Sequence, residues 1–473
     1  MSLVIQGRAS ARGCRCERSE FHSVVCWEGL GRHYNIKMVP TTRADGYSDV
    51  AALRDLLQCA RARTLIHVAQ LRGEQWLGPY LKIVNPPLWE VGHLGWFQEH
   101  WCLRYSDSGT LAPSLLSNAD ALYNSALVPH VQRWRLSLPN VDATLNYLKQ
   151  VLQAVIARLE RDGATPHLRY FAQLSAYHEL MHNEAFDYTC QTLAYAAKNR
   201  ELRQIATESF CDGDAAIAGG RFELGAQMRD GFVFDNEKWA HEVVVQPYRM
   251  ARAAVTNEQF AAFVDDGGYA RRELWSNDSW RWRAEANAAM PLYWSKQGNH
   301  WRVRCHDQLV PLHGHAAVIH VNWYEAEAYC RWARRRLPSE AEWEFAAATA
   351  PGDTVHKRRF PWGDAPPSAV HANLHGVAGQ PVDVAAFAAG DSAWGIRQMF
   401  GNVWEWTADW FQPYPGFARD PYKEYSEPWF GDHKVLRGGC FATSASLLRN
   451  TWRNFYTPDR RDVLAGFRTC ALN

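Results

Sequence analysis

At 473 residues the chain is longer than a single hydrophobic core usually grows, so two domains are expected. Its 51 Lys and Arg against 50 Asp and Glu leave a net charge of +1 with no long run of one sign, which argues against a nucleic-acid or membrane-surface partner and favours a small neutral substrate. No window approaches the roughly 18 uninterrupted apolar residues of a membrane span and no secretory apolar segment opens the chain, so a cytoplasmic location is expected.

Residues 1–37 carry no clear periodicity and read as a disordered leader. Four helices are predicted next, in a first domain over residues 38–205. Ser48 can cap a helix with apolar positions Val50, Leu53, Leu56, Leu57 and Ala60. A second starts at Pro86-Pro87, where proline suits the first turn, and runs through LWEVGHLGWFQEHWCLRY. The third, VDATLNYLKQVLQAVIARLERDG, has a stripe at Leu145, Leu148, Leu152, Val155 and Leu159 and stops at Gly163. The fourth runs from near Pro166 to about Asn199. Together they suggest a bundle, whose interior is a common place for a metal site.

Over residues 206–473 the texture changes to short segments rich in Gly, Pro, Asn and Trp, which by itself supports only an α+β domain with little regular structure. The 22 tryptophans suit an irregular domain with aromatic-walled pockets, although large aromatics are more often plain core. Eleven cysteines are scattered, apart from Cys14 and Cys16, and no C-x2-C pair occurs; neither a disulfide framework nor a cysteine zinc site is signalled.

The fourth helix contains YHELMHNE, placing His178 and His182 one turn apart on one face. His93, in WEVGHLGW of the second helix, is the candidate third ligand; His67 and His100 also lie on predicted helices. Three neutral imidazoles leave coordination positions open, and their spacing describes a zinc site as well as an iron one.

Both halves, over roughly residues 45–473, resemble the ergothioneine-synthase family. The first carries the H-x3-H-x-E motif of its DinB-like bundle (His178, His182, Glu184) and the W-x3-H context from Trp89 to His93. The second carries TNEQF, LPSEAEWEFAA, GNVWEWT, LRGG and GFR in the order found in formylglycine-generating enzymes, which have a C-type-lectin-like fold. The resemblance implies Fe(II) on His93, His178 and His182, dioxygen as co-substrate, and Glu184 as a partner that orients the ligands. It implies a proton-donating Tyr422, with Tyr425 lining the same site. It makes WRNFYTPDRR the substrate segment: Asn454 bonds hercynine, the betaine substrate, and Phe455 stands in for a tryptophan. Aromatic walls suit a trimethylammonium group.

Three positions depart from the sulfur-transferring relatives. Tyr456 occupies the place of an aspartate that meets γ-glutamylcysteine. Leu138 stands where an arginine is expected, with Arg133 and Arg135 nearby. Met181 replaces a glutamine. Losing charged donor contacts while keeping the metal and the aromatic walls implies a less charged chalcogen donor. The branch that takes selenium from a selenosugar, selenoneine synthase, fits this pattern; ergothioneine-type sulfoxide synthesis from γ-glutamylcysteine or cysteine is the alternative. A zinc-dependent thiol transferase of the DinB type is a third reading. Formylglycine generation needs a close late cysteine pair, and Cys440 and Cys470 are far apart; a non-catalytic carbohydrate-binding module leaves the histidines unexplained. Asn402 and Glu405, in GNVWEWT, fit a calcium-binding loop or a Trp-rich structural turn.

Overall fold

The computed structural model describes residues 49–106, 108, 110–196, 205 and 211–472. The leader, Ser48 and, apart from Ile205, the junction between the halves lie outside the described residues.

Helix α1, Val50–Val68, is capped by Asp49, whose carboxylate accepts the Ala52 amide at 2.7 Å. Helix α2, Pro87–Glu99, begins on proline and continues as a wider turn through Arg104. A short helix α3, Ala119–Tyr123, is not evident in the sequence pattern. Helix α4, Val141–Asp162, ends at Gly163 with φ +74°. Its buried stripe is Thr144, Tyr147, Leu148, Val151, Val155 and Leu159, so the expected Leu145 and Leu152 fall to the half-buried flanks. Helix α5, Pro166–Thr192, stops short of Asn199 because Leu193 leaves helical geometry and Ala194 turns left-handed at φ +53°.

Helix α1 packs on α5, and α2 on α4 and α5. Buried Arg61 braces the bundle, giving Nε to Glu179 on α5 at 2.7 Å and Nη1 to the Leu148 carbonyl on α4 at 2.5 Å. The glycines of α2 allow close approach. A Cβ at Gly92 would lie 2.2 Å from the Tyr123 ring of α3.

The second half holds two four-stranded sheets, a hairpin and a three-stranded meander, joined by long loops. The sheet nearest the site orders Asn454–Tyr456, Lys434–Arg437, Trp404–Trp410 and Ala465–Gly466. Its helices run ten residues or fewer. Two of the sequence motifs are helix starts: Thr256 and Gln259 of TNEQF, and Ser339 and Glu342 of LPSEAEWEFAA, form reciprocal capping boxes. Buried arginines pin the loops, with Arg437 and Arg453 on Glu340 and Arg468 on Glu405.

Candidate active site

Helices α2 and α5 bring His93, His178 and His182 together, with one ring nitrogen of each lying within 4.8 Å of the others. The Nε2 atoms of His93 and His178 are 3.3 Å apart. A backbone acceptor fixes the tautomer of His93. His93 Nδ1 donates to the Tyr123 carbonyl at 2.8 Å, which can only accept, so Nε2 carries the lone pair. His182 Nδ1 donates to Glu90 Oε1 at 2.5 Å. His178 lies flat on Phe97, centroids 3.7 Å apart and planes 7° apart. Burial pulls His93 down to about 3, reinforced by the neighbouring His182, and holds His178 well below the usual imidazole range. Convergent imidazoles, of which burial holds His93 and His178 neutral, are ready to bind a metal, and the donor set accommodates Fe(II) as well as Zn(II).

The triad opens on a cavity of about 380 Å³ lined by His178 and His182 from the bundle and by loops of the second half. Met181, Tyr422, Tyr425, Asn454, Phe455 and Tyr456 all line it. Tyr422 sets its ring edge against Phe97, at 4.9 Å, and against His178, at 6.2 Å. Burial, aided by Glu424 and Asp235, raises its phenol far above the ordinary range, so it stays protonated at neutral pH. Tyr425 stacks on Phe234 at 4.2 Å and reaches the Met181 sulfur at 3.7 Å. Phe455 stacks on Phe411 at 4.1 Å, and the Arg460 guanidinium sits 5.0 Å from the Tyr456 ring centre.

Several expectations need correction. Arg133 and Leu138 do not line the cavity. The Arg133 guanidinium is turned to Asn85 Oδ1, at 2.6 Å, and to the face of Trp89. Leu138 is half-buried in the turn before α4, its amide bonded to the Leu136 carbonyl. Glu184 lines the cavity but its bonds go across the domain seam rather than to a histidine: Oε1 accepts from Trp404 Nε1 and Oε2 from Thr443 Oγ1, each at 2.6 Å. The carboxylate bonded to a histidine of the triad is Glu90. His100 sits among Trp96, Trp101 and Tyr105, and His67 faces Asp187 at 3.6 Å, both away from the triad. At GNVWEWT, Glu405 is neutralised by Arg468 and also accepts from Trp343, while Asn402 Oδ1 accepts from Asn373 and Val382. With its carboxylate matched to an internal cation, this loop is a structural turn rather than a calcium site.

Glu90, Tyr123, Tyr188 and Arg460 escaped the reading of the sequence. Glu90 left a signal, a carboxylate one turn before His93 on the same helix. Tyr123 acts through a backbone carbonyl, which no residue pattern marks.

Residues 56–185 match the DinB superfamily and residues 200–472 the sulfatase-modifying factor enzyme 1-like domain. The hercynine oxygenase of Mycolicibacterium thermoresistibile is 37% identical over 86% of this chain and 92% of its own length. That of Mycolicibacterium smegmatis is 36% identical over 88% and 97%. A formylglycine-generating enzyme of Streptomyces coelicolor is 32% identical over 55% of this chain and 88% of its own. No helix among the described residues is long and apolar enough to cross a membrane. The hercynine oxygenases follow the chain through both the bundle that holds the histidines and the domain that holds the tyrosines, and the chain is an oxidoreductase belonging to their family.

Proposed function

We propose that the protein joins a chalcogen atom to C2 of the hercynine imidazole, with Fe(II) on His93, His178 and His182, dioxygen as oxidant and a selenosugar as donor. The sum balances as hercynine C2–H plus R–SeH plus O2 giving the C2-bound selenoxide plus water, four electrons passing to dioxygen. Bound iron supplies dioxygen activation.

The chain's residues do the rest. Phe455, Tyr425 and Trp429 give aromatic faces for the trimethylammonium group. Asn454 offers an amide to the imidazole or carboxylate. Tyr422, held protonated beside His178, gives its proton to reduced oxygen. Holding both substrates in one walled cleft supplies the near-attack geometry.

One observation carries the donor assignment. Among the described residues Arg460 is the single arginine or lysine lining the cavity, and Asp462 neutralises it through two bonds of 2.7 Å. With Tyr456 beside it and Arg133 turned away, the cleft offers no uncompensated guanidinium or ammonium to a peptide carboxylate. A neutral polyol donor meets no such deficit.

The test is anaerobic reconstitution with Fe(II), addition of hercynine, admission of air and mass spectrometry with a selenosugar, γ-glutamylcysteine or cysteine offered separately. Selenium transfer from the selenosugar alone is expected. A sulfoxide from γ-glutamylcysteine would return the donor to the sulfur alternative, and zinc in the isolated protein with no oxidative product would favour the thiol transferase. Tyr422→Phe is expected to lower coupling ~100-fold, in the range of a lost general acid; unchanged coupling and products would remove the tyrosine from the mechanism.

A further inference from the structure

We propose that Arg133 is a positioning residue of the metal centre, acting through Trp89 and His93 to bias bound iron toward its ferrous state. The inference rests on the reading of His93, His178 and His182 as iron ligands.

The geometry is a column of planar groups. The Arg133 guanidinium carbon lies 3.9 Å from the centre of the Trp89 ring. The same indole stacks on the His93 imidazole, centroids 5.0 Å apart and planes 8° apart. Trp89 is buried and cannot turn, because its Nε1 donates to the Leu122 carbonyl at 2.7 Å. The next residue, Tyr123, accepts from His93 Nδ1. Two consecutive carbonyls of α3 thus fix both rings, and with them the distance from guanidinium to imidazole.

Charge gives the column its effect. Arg437, Arg453 and Arg468, the fully buried arginines of the second half, each face a glutamate that cancels their field locally. Arg133 is held by neutral acceptors instead, Asn85 Oδ1 at 2.6 Å and the Val128 carbonyl at 3.4 Å. Glu90 is the acidic group that acts on it, and that carboxylate is hydrogen-bonded to His182. Burial pushes Arg133 down to about 10, which leaves it charged at neutral pH. A half-buried positive charge that hydrogen-bonds neutral acceptors rather than a carboxylate disfavours Fe(III) more than Fe(II), because the interaction scales with the charge of the ion. The ligands are then unequal: Glu90 strengthens His182 as a donor while Arg133 weakens His93. An oxidase that must meet dioxygen with substrates already bound gains from an iron that resists oxidation while the cleft is empty.

The experiment uses the full chain loaded with ferrous iron and no substrate. Midpoint potential and the rate of oxidation in air are measured for wild type, Arg133→Met, Arg133→Gln and Arg133→Lys, with cobalt(II) stoichiometry and a thermal melt confirming an intact site. The neutral variants are expected to change the ferrous-to-ferric ratio at fixed potential by roughly tenfold, a fall of ~59 mV for a one-electron couple, and to oxidise faster in air. Arg133→Lys, which keeps the charge, is expected to stay near wild type. A wild-type potential in both neutral variants, or an equal fall in Arg133→Lys, overturns the proposal and leaves the iron reading standing. A wild-type protein that holds no iron overturns both.

Discussion

Gly92 shows how far beyond the histidine itself the aim of His93 is set. A Cβ there would enter the Tyr123 ring at 2.2 Å, and the backbone of Tyr123 is what holds His93 Nδ1. Overpacking of this kind costs about 1–3 kcal/mol. Gly92→Ala is therefore expected to lower the melting temperature and, by displacing the carbonyl, to weaken cobalt(II) binding ~10-fold or more, the range seen when a ligand's supporting partner is lost. Calorimetry on the apoprotein checks both. At this scale the sequence was informative where chemistry sits in side chains: the His178–His182 pair could be named from its spacing, and six further residues that line the cavity from the family resemblance. It was mute on Tyr123, whose contribution is a carbonyl. It misled on Arg133, because the sequence shows a cation near a substrate loop but not which way the guanidinium turns.

Among the elements, α5 does the most. It provides His178, Met181 and His182 to the cavity, and its other faces hold the two halves of the chain together. Glu184 bonds Trp404 and Thr443, Tyr170 donates to Asp420 at 2.8 Å, and Gln191 donates to the Arg304 carbonyl at 2.8 Å. Burial raises the Glu184 carboxyl above its ordinary value, but it can still accept both bonds. Glu184→Ala would strand the Trp404 and Thr443 donors in the seam, at about 1–3 kcal/mol for each unsatisfied group. A melting temperature several degrees lower is expected, with cobalt(II) affinity nearly unchanged because no ligand touches Glu184. A large loss of metal affinity with an unchanged melt would show that the glutamate serves the triad after all. Helices α1, α2, α4 and α5 were legible from their 3.6-residue periodicity and their caps. The five-residue α3 is too short for periodicity to register, and the end of α5 was overrun because helix-favouring residues continue past Thr192.

In the whole molecule, the described residues belong to one compact unit, and metal binding should be felt throughout it. Ferrous iron at ~100 times its dissociation constant is expected to add ~2.7 kcal/mol of stability, so a chelator should lower the melting temperature by a few degrees, and an identical melt with and without metal would refute tight binding to the folded state. Two domains were expected from length alone, and the ordered motifs of the second half pointed to its fold where composition could not. Its loops, held by buried arginine–glutamate pairs instead of regular periodicity, left little for pattern reading to find. The division of the cavity has a further consequence. The histidines are on the half of the chain that leaves the ribosome first, and Tyr422, Asn454 and Phe455 are on the half that follows. A chain cut before Tyr422 would keep all three histidines and lack the tyrosine and the aromatic walls of Tyr425, Trp429 and Phe455. A cavity so divided is complete only when both halves have met, and the bonds from α5 to Trp404, Thr443 and Asp420 tie that meeting to the helix that carries two of the three histidines.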